Sequence, residues 1–356
     1  MRILVYGAGP LGSLFAAQLH EAGHDVAILA RGQRLADIRE HGIVIHNVVN
    51  DETLAAPVRA VEGLAPDDAY DLVLVIMRKN AALTILPILA ANRRTPNVLF
   101  LMNNAAGPGA LISALGRERV LIGFPTSAGY RDDYTIHCLT GTPAEKAHIP
   151  FGEIDGTVTA RTREIAEVLA STSWLGAEIR TDMDAWLKYH VALLMPSIAA
   201  ALYACGTDLK RMARTRDAVV LAVRASREGF AVLRALGYPT TPGKFELFAR
   251  APEPLMVLLL RRLLTKERME IALAKHANAA RDEILHLTDE FLALAARTHV
   301  LTPAILELYP HFEPDYPLIP DGSATIPVDW RGVWTSIAAL SAGIFALRLL
   351  VRRRRI

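Results

Sequence analysis

Apolar positions along residues 1–125 follow two rhythms. Short apolar runs recur at Arg2–Tyr6, at 24–31 (HDVAILAR), at 43–47 (GIVIHN begins one residue earlier), at 70–77 (YDLVLVIM), at 97–103 (NVLFLMN) and at 119–124 (RVLIGF). Between most of them the spacing lengthens to that of amphipathic helices, as at 13–22 and 81–91. Strands that alternate with helices predict a parallel, doubly wound sheet, and the nearly polar-free run at 70–77 suits a strand covered on both faces. After Gly156 the rhythm changes. Residues 162–172 (TREIAEVLAST) read as a helix and 177–182 (AEIRTD) as a short strand, and from Met183 to about Tyr309 helical spacing is continuous. Pro239, Pro242, Pro252 and Pro254 mark breaks between those helices.

The expected organisation is therefore α/β: a Rossmann-type sheet domain over 1–182, an all-helical substrate and dimerisation domain over 183–312, a Pro-rich connector over 313–331, and an apolar C-terminal helix with an arginine tail over 332–356. A chain of 356 residues, 52% hydrophobic and 21% charged, is long and apolar enough to bury such cores. Two acids against six arginines leave +4 in the segment from Asp321 onward, and so −2 in the rest of a chain whose total is +2. A mildly acidic body argues against nucleic acid as a partner. The two cysteines, Cys138 and Cys205, and the scattered histidines form no disulfide framework and no metal-ligand spacing, which fits a cytoplasmic protein without a metal.

Candidate chemistry begins with Gly7, Gly9 and Gly12, spaced G-x-G-x-x-G between the first strand and the first helix. The first glycine permits the tight turn, the second the approach of a pyrophosphate, the third close helix packing, and the helix N-terminus favours phosphate charge. Pro10 and Leu11 lie in the same loop. The second strand ends in Arg31, with Arg34 close by, where NAD sites carry an acid. A guanidinium there suits a 2′-phosphate, so the expected cofactor is NADP(H).

Further blocks come in a telling order: FLMNN at 100–104, PFGEIDG at 150–156, AWLKYH at 185–190 and RMEI at 268–271. Together with the N-terminal block they resemble the ketopantoate reductase (2-dehydropantoate 2-reductase) family over about residues 1–315. The resemblance implies that Lys188 supplies a proton to a substrate carbonyl reduced by NADPH, that Glu270 shares that active site, and that Asn103 stands near the nicotinamide. It also implies that Arg78, with Lys79 adjacent, replaces a cofactor-side lysine. An ammonium is suited to the charge that develops on a reduced carbonyl oxygen.

On a gapless count, Ala192, Leu258 and Arg262 stand where the family has polar substrate ligands, so a 2-oxo acid or ketone other than ketopantoate is expected. A non-catalytic NADP(H)-binding redox sensor is the alternative; an opine or 3-hydroxyacid dehydrogenase is a third reading, for which no histidine stands out. Residues 333–351 are apolar except Thr335, Ser336, Ser341 and Arg348. As a helix they would reach about 28 Å, close to a bilayer core of ~30 Å, and arginines follow at 352–355. The body is thus expected in the cytoplasm, attached to the membrane surface by this segment, the alternative being a helix packed on the body or on a partner subunit.

Overall fold

The computed structural model describes residues 1–333. Among these residues the strands are β1 (Arg2–Tyr6), β2 (Asp25–Leu29), β3 (Ile43–Asn47), β4 (Glu52–Ala56), β5 (Arg59–Val61), β6 (Leu72–Val75), β7 (Asn97–Leu101), β8 (Val120–Gly123), β9 (Ala128–Asp132), β10 (Thr135–Leu139), β11 (Ala147–Glu153) and β12 (Leu175–Ile179). The helices of this part are α1 (Pro10–Glu21), α2 (Gly32–His41), α3 (Lys79–Thr84), α4 (Leu86–Ala91), α5 (Gly109–Leu115) and α6 (Ala160–Ala170). Eight strands form one sheet in the order β12-β11-β8-β7-β6-β1-β2-β5. Its neighbours are parallel except β11, which runs antiparallel to β8.

The run at 43–47 is not the third strand of that sheet. It belongs to a second sheet, ordered β4-β3-β10-β9. The chain makes a hairpin from β3 to β4, with Asp51 at φ 60, and leaves no room for a crossover helix. The burial of β3 alternates, as expected of a strand with one covered face. Its inner face lies on α1, where Ile43, Ile45, Ile136 and Cys138 join Leu14 and Phe15 in one core. α1 is thereby enclosed between the two sheets, and every residue from Gly12 to Leu19 is buried.

The segment PFGEIDG is an architectural corner. A Cβ on Gly152 would stand 2.1 Å from the Arg180 carbonyl oxygen, and Gly156 needs φ +77. Buried Glu153 accepts from Thr159 Oγ1 at 2.6 Å and from Arg161 Nε at 2.7 Å, which ties the corner to the start of α6.

Among the described residues nine α-helices follow: α7 (Met183–Leu193), α8 (Ala200–Tyr203), α9 (Leu209–Arg214), α10 (Arg216–Ala235), α11 (Lys244–Arg250), α12 (Glu253–Leu264), α13 (Lys275–Ala279), α14 (Arg281–Ala295) and α15 (Pro303–Leu308). A π-helical turn, Leu194–Ala199, joins α7 to α8. Pro196 inside it has no N–H to give to the ladder, so the helix widens rather than continuing regularly. The resulting run Met183–Tyr203 has the length and hydropathy of a membrane span, but it is buried inside the protein as a core helix.

The Pro-rich connector is a strap held on the helices. Asp217 of α10 accepts from Ser323 Oγ, Thr325 N, Thr325 Oγ1 and Ile326 N at 2.8–2.9 Å. Arg214 grips Asp321 with two hydrogen bonds, and Arg224 donates to the Pro327 carbonyl at 2.7 Å. The expected C-terminal helix and its arginine tail lie outside the described residues.

Candidate functional site

At the end of β1 the chain turns through Gly7, whose φ of +121 is open to glycine alone. A Cβ on Gly7 would lie 2.4 Å from the Ile76 oxygen, and one on Gly12 would lie 1.8 Å from the Gly7 oxygen. Gly9, by contrast, has nothing within 4 Å of a Cβ position and caps α1, with Pro10 in its first turn. Two glycines thus permit close packing and one leaves a bare approach to a helix N-terminus, which is what a pyrophosphate requires.

A cleft of about 550 Å³ opens above this loop. Tyr6, Gly9, Arg31, Arg34, Met77 and Arg131 are among its lining residues. Leu11, expected with them, is half-buried and packs on the α1 core instead. Arg31 is exposed and donates to the Glu62 carbonyl at 3.4 Å. Arg34 is 8% exposed, donates to Ser13 Oγ at 3.0 Å and leaves its Nε without a partner. Burial lowers the Arg34 pKa, the Arg131 guanidinium adds to that, and Asp37 opposes it. Three guanidiniums therefore face the end of β2, and the second sheet supplies one of them, Arg131 of β9. Sequence reading missed Arg131, since nothing local links residue 131 to residue 31.

Lys188 of α7 lies where the helices meet the loop that follows β7. It is 1% exposed, and its Nζ forms an ion pair with Asp184 one turn earlier on α7. The Nζ is 4.9 Å from the centre of the Tyr238 ring and 3.1 Å from where a Cβ on Gly107 would be. Gly107 closes a turn with Asn104: its amide donates to Asn104 Oδ1 at 2.9 Å, and Asn104 Nδ2 donates to its carbonyl at 3.0 Å. The same Asn104 Oδ1 accepts from Lys79 Nζ at 2.6 Å. Lys79, 3% exposed, also pairs with Glu290 of α14 at 2.6 Å. Burial lowers its pKa; Glu290 opposes that shift and the charge of Lys188 reinforces it. Two buried ammonium groups thus bracket one turn, Asn104–Gly107. Asn103, beside it, is 8% exposed and keeps its Oδ1 unpartnered.

The resemblance pointed to Arg78 and Glu270, and the structure places both elsewhere. Arg78 points outward to Asp282 at 2.9 Å and to the Ala279 carbonyl, while its neighbour Lys79 turns into the site. Glu270 is exposed, in a π-helical turn (Glu270–Ala274) that packs on β9 and β10. The carboxylates that do meet the lysines are Asp184 and Glu290. Asp184 was within reach of sequence reading through its i,i+4 spacing from Lys188. Glu290, distant in sequence from Lys79, was not.

The three substituted substrate positions also move. Ala192 is fully buried against Gly229, whose Cβ position would lie 3.0 Å from the Ala192 Cβ, so this residue serves a helix crossing. Leu258 and Arg262 are exposed on α12. The gapless count therefore compared surface and core positions with ligands, and its inference about the substrate loses its support. On the opposite face of α7 from Lys188, His190 stacks on Trp186 at 5.2 Å and lies 4.2 Å from Phe124. Burial pushes its pKa down to about 4, with His276 and Lys244 adding to the shift, so it is neutral at ordinary pH. Burial raises both thiols, Cys138 and Cys205, to about 12, which removes them as nucleophiles.

Comparison with known proteins gives this geometry a context. Residues 3–155 match the family model described as ketopantoate reductase PanE/ApbA. A 2-dehydropantoate 2-reductase of Archaeoglobus fulgidus is 27% identical over 239 residues, covering 67% of this chain and 75% of that protein. One of Mesorhizobium japonicum is 25% identical over 263 residues, covering 67% and 77%. Among solved structures, 2-dehydropantoate 2-reductase from Geobacter metallireducens GS-15 has a TM-score of 0.71 at 20% identity, covering 88% of this chain and 99% of that one. D-mandelate dehydrogenase, in a ternary structure with NADH and anilino(oxo)acetate, has a TM-score of 0.70 at 16% identity, covering 88% and 97%. At such identities the structural likeness carries the fold.

Proposed function

We propose that this chain, which belongs to the ketopantoate reductase family as a divergent member, is an NADPH-dependent reductase of the carbonyl group of a 2-oxo acid or related ketone. The observation that carries the reading is the pair of buried ammonium groups, Lys79 and Lys188, on either side of the Asn104–Gly107 turn. A 2-oxo acid presents two oxygens of different demand. Its carboxylate is charged throughout and needs a fixed cation. Its carbonyl oxygen becomes charged only during reduction and needs a donor that can also give up a proton.

Lys188 suits the second task. Asp184 fixes the direction of its ammonium, Tyr238 covers it, and a proton passed from Nζ to the carbonyl oxygen completes the alcohol. Lys79 suits the first, since Glu290 and Asn104 hold its Nζ in place. NADPH, when bound, supplies the hydride. The residues that fit it are the loop Gly7–Gly12 for the pyrophosphate, Arg31, Arg34 and Arg131 for the 2′-phosphate, and Asn103 for the nicotinamide end. The unpartnered Nε of Arg34 and the unpartnered Oδ1 of Asn103 support that assignment, because buried polar atoms ordinarily find partners.

D-mandelate dehydrogenase was solved with NADH. The three arginines are what favours NADPH for this chain. The test is a screen of 2-oxo acids and ketones, ketopantoate and phenylglyoxylate included, against NADPH and NADH. NADPH oxidation with at least one 2-oxo acid is expected. Tight NADPH binding with no oxidation by any carbonyl compound would instead mark a nucleotide-binding sensor.

A further inference from the structure

Lys188 is 1% exposed, yet proton transfer to a substrate needs the carbonyl oxygen within about 3 Å of its Nζ. Some neighbour has to yield for that oxygen to arrive. Asp184, Gly107 and Tyr238 stand around the Nζ. Asp184 is the ion-pair partner one turn earlier on the same helix. Gly107 belongs to the turn that Asn104 fixes by two hydrogen bonds, and Lys79 holds the same Asn104. Neither moves without breaking the cluster.

Tyr238 is held differently. It lies in residues 236–243, between α10 and α11, where Gly237 turns the chain at φ +84. The backbone of that segment is anchored. Tyr189 Oη donates to the Tyr238 carbonyl at 3.3 Å and meets Thr240 Oγ1 at 3.2 Å, and Arg180 Nη2 donates to Thr241 Oγ1 at 2.9 Å. The ring is half-buried, with its centre 4.9 Å from the Lys188 Nζ. A cation–π attraction of this kind makes no directional demand, and a side-chain torsion gives it up while the backbone stays in place. The carbonyl oxygen of a substrate offers the same ammonium a hydrogen bond in exchange.

A 2-oxo acid that gives its carboxylate to Lys79 and its carbonyl oxygen to Lys188 has one group left to place, the substituent on the carbonyl carbon. Beside the Nζ, Asp184 is polar and Gly107 is bare backbone, so the apolar surface there is that of Tyr238. We propose that Tyr238 is the specificity-determining residue of this site: its ring shields Lys188 in the free protein and, turned aside, packs on the substituent, favouring 2-oxo acids with a ring or a branched chain over pyruvate. An aromatic face gains by contact with such a group, whereas a methyl group leaves most of it without a partner. The inference rests on the assignment of Lys188 to the carbonyl made above.

The test acetylates lysines of the full chain with sulfosuccinimidyl acetate and follows Lys188 and Lys79 by mass spectrometry. In Tyr238→Ala, Lys188 should react at least ~10-fold faster than in the unmodified protein; in Tyr238→Phe, which keeps the ring, it should react at nearly the unmodified rate. Lys79 should react alike in all three. With NADP⁺ present, so that nothing is reduced, phenylglyoxylate should protect Lys188 at a concentration at least ~10-fold lower than pyruvate, and Tyr238→Ala should remove that difference. Unchanged labelling of Lys188 in Tyr238→Ala overturns the proposal. So does equal acceleration at Lys79, which would mean a loosened interface, and so does equal protection by the two acids or a preference that Tyr238→Ala retains. The reductase reading is judged separately, by NADPH oxidation in the screen. Turnover without protection of Lys188 removes this inference alone, and protection in the expected order without turnover removes the reductase reading alone.

Discussion

The glycine loop draws its parts from a single turn of chain, Tyr6 to Ser13, whereas the lysine cluster draws from residues near 79, 104, 184–188 and 290. The loop's geometry is set by backbone: a positive φ, two positions where a Cβ cannot fit, and a helix N-terminus. The cluster's geometry is set by tertiary packing, because α14 must dock on the β6–α3 corner before Glu290 can meet Lys79. The difference shows in what each end tolerates. A local backbone device fails when its own residues change. A long-range polar cluster fails when any partner does, and its buried charges are costly once unpaired. It also shows where variation is free: the loop can be shared by many nucleotide-binding proteins, while on the proposed reading the cluster selects the carbonyl compound.

Four substitutions would break or sharpen this contrast. The largest effect is expected at the loop. Gly12→Val puts side-chain atoms where only 1.8 Å is available, and NADPH affinity measured by fluorescence titration should fall by more than ~100-fold. Retained affinity would mean that the loop does not hold the cofactor.

Lys79→Gln should raise KM for the 2-oxo acid at least ~10-fold with NADPH affinity nearly unchanged. The same residue gives a pH signature. Its pKa is lowered chiefly by burial, so its charge disappears at a lower pH than that of an ordinary lysine. KM for an anionic substrate should therefore climb with rising pH before pH 10.5, and Lys79→Gln should flatten that climb. An unchanged profile would remove Lys79 from substrate binding.

Arg34→Ala should cost about 10-fold in NADPH affinity, at the low end of a charge-assisted contact, and leave NADH affinity unaltered. Equal losses for both nucleotides would show a packing role through Ser13 rather than phosphate recognition. Glu270→Ala, on an exposed turn, should change kcat by less than ~3-fold. A larger loss would show that the turn moves to Lys188 when substrate binds.

What was legible in the sequence follows the same division. The loop, the first, second, fourth, fifth and sixth strands of the apolar rhythm, and the change to helices at Met183 could be read locally, because each is a repeat or a short-range constraint. The second sheet could not. β3 looks like any buried strand, and only its pairing with β4 and β10 removes it from the main sheet. Lys188 was singled out because a lysine in an apolar run demands a partner, and Asp184 is that partner. Arg78 and Glu270 were taken from the resemblance by position, but a helix rotates one neighbour inward and the next outward, so Lys79 enters the site and Arg78 does not. Counting across the loop between α12 and Glu270 failed for a related reason, since chain separation there says nothing about which helix face Leu258 and Arg262 occupy.

The most direct measurement is a single-turnover comparison of the unmodified protein and Lys188→Ala with saturating NADPH and the best 2-oxo acid from the screen. The expected result is a rate of NADPH oxidation lower by about 100-fold or more, with the dissociation constant for NADPH unchanged within about twofold. Oxidation at the unmodified rate would contradict the assignment of Lys188 to the carbonyl and leave it as a buried partner of Asp184 alone.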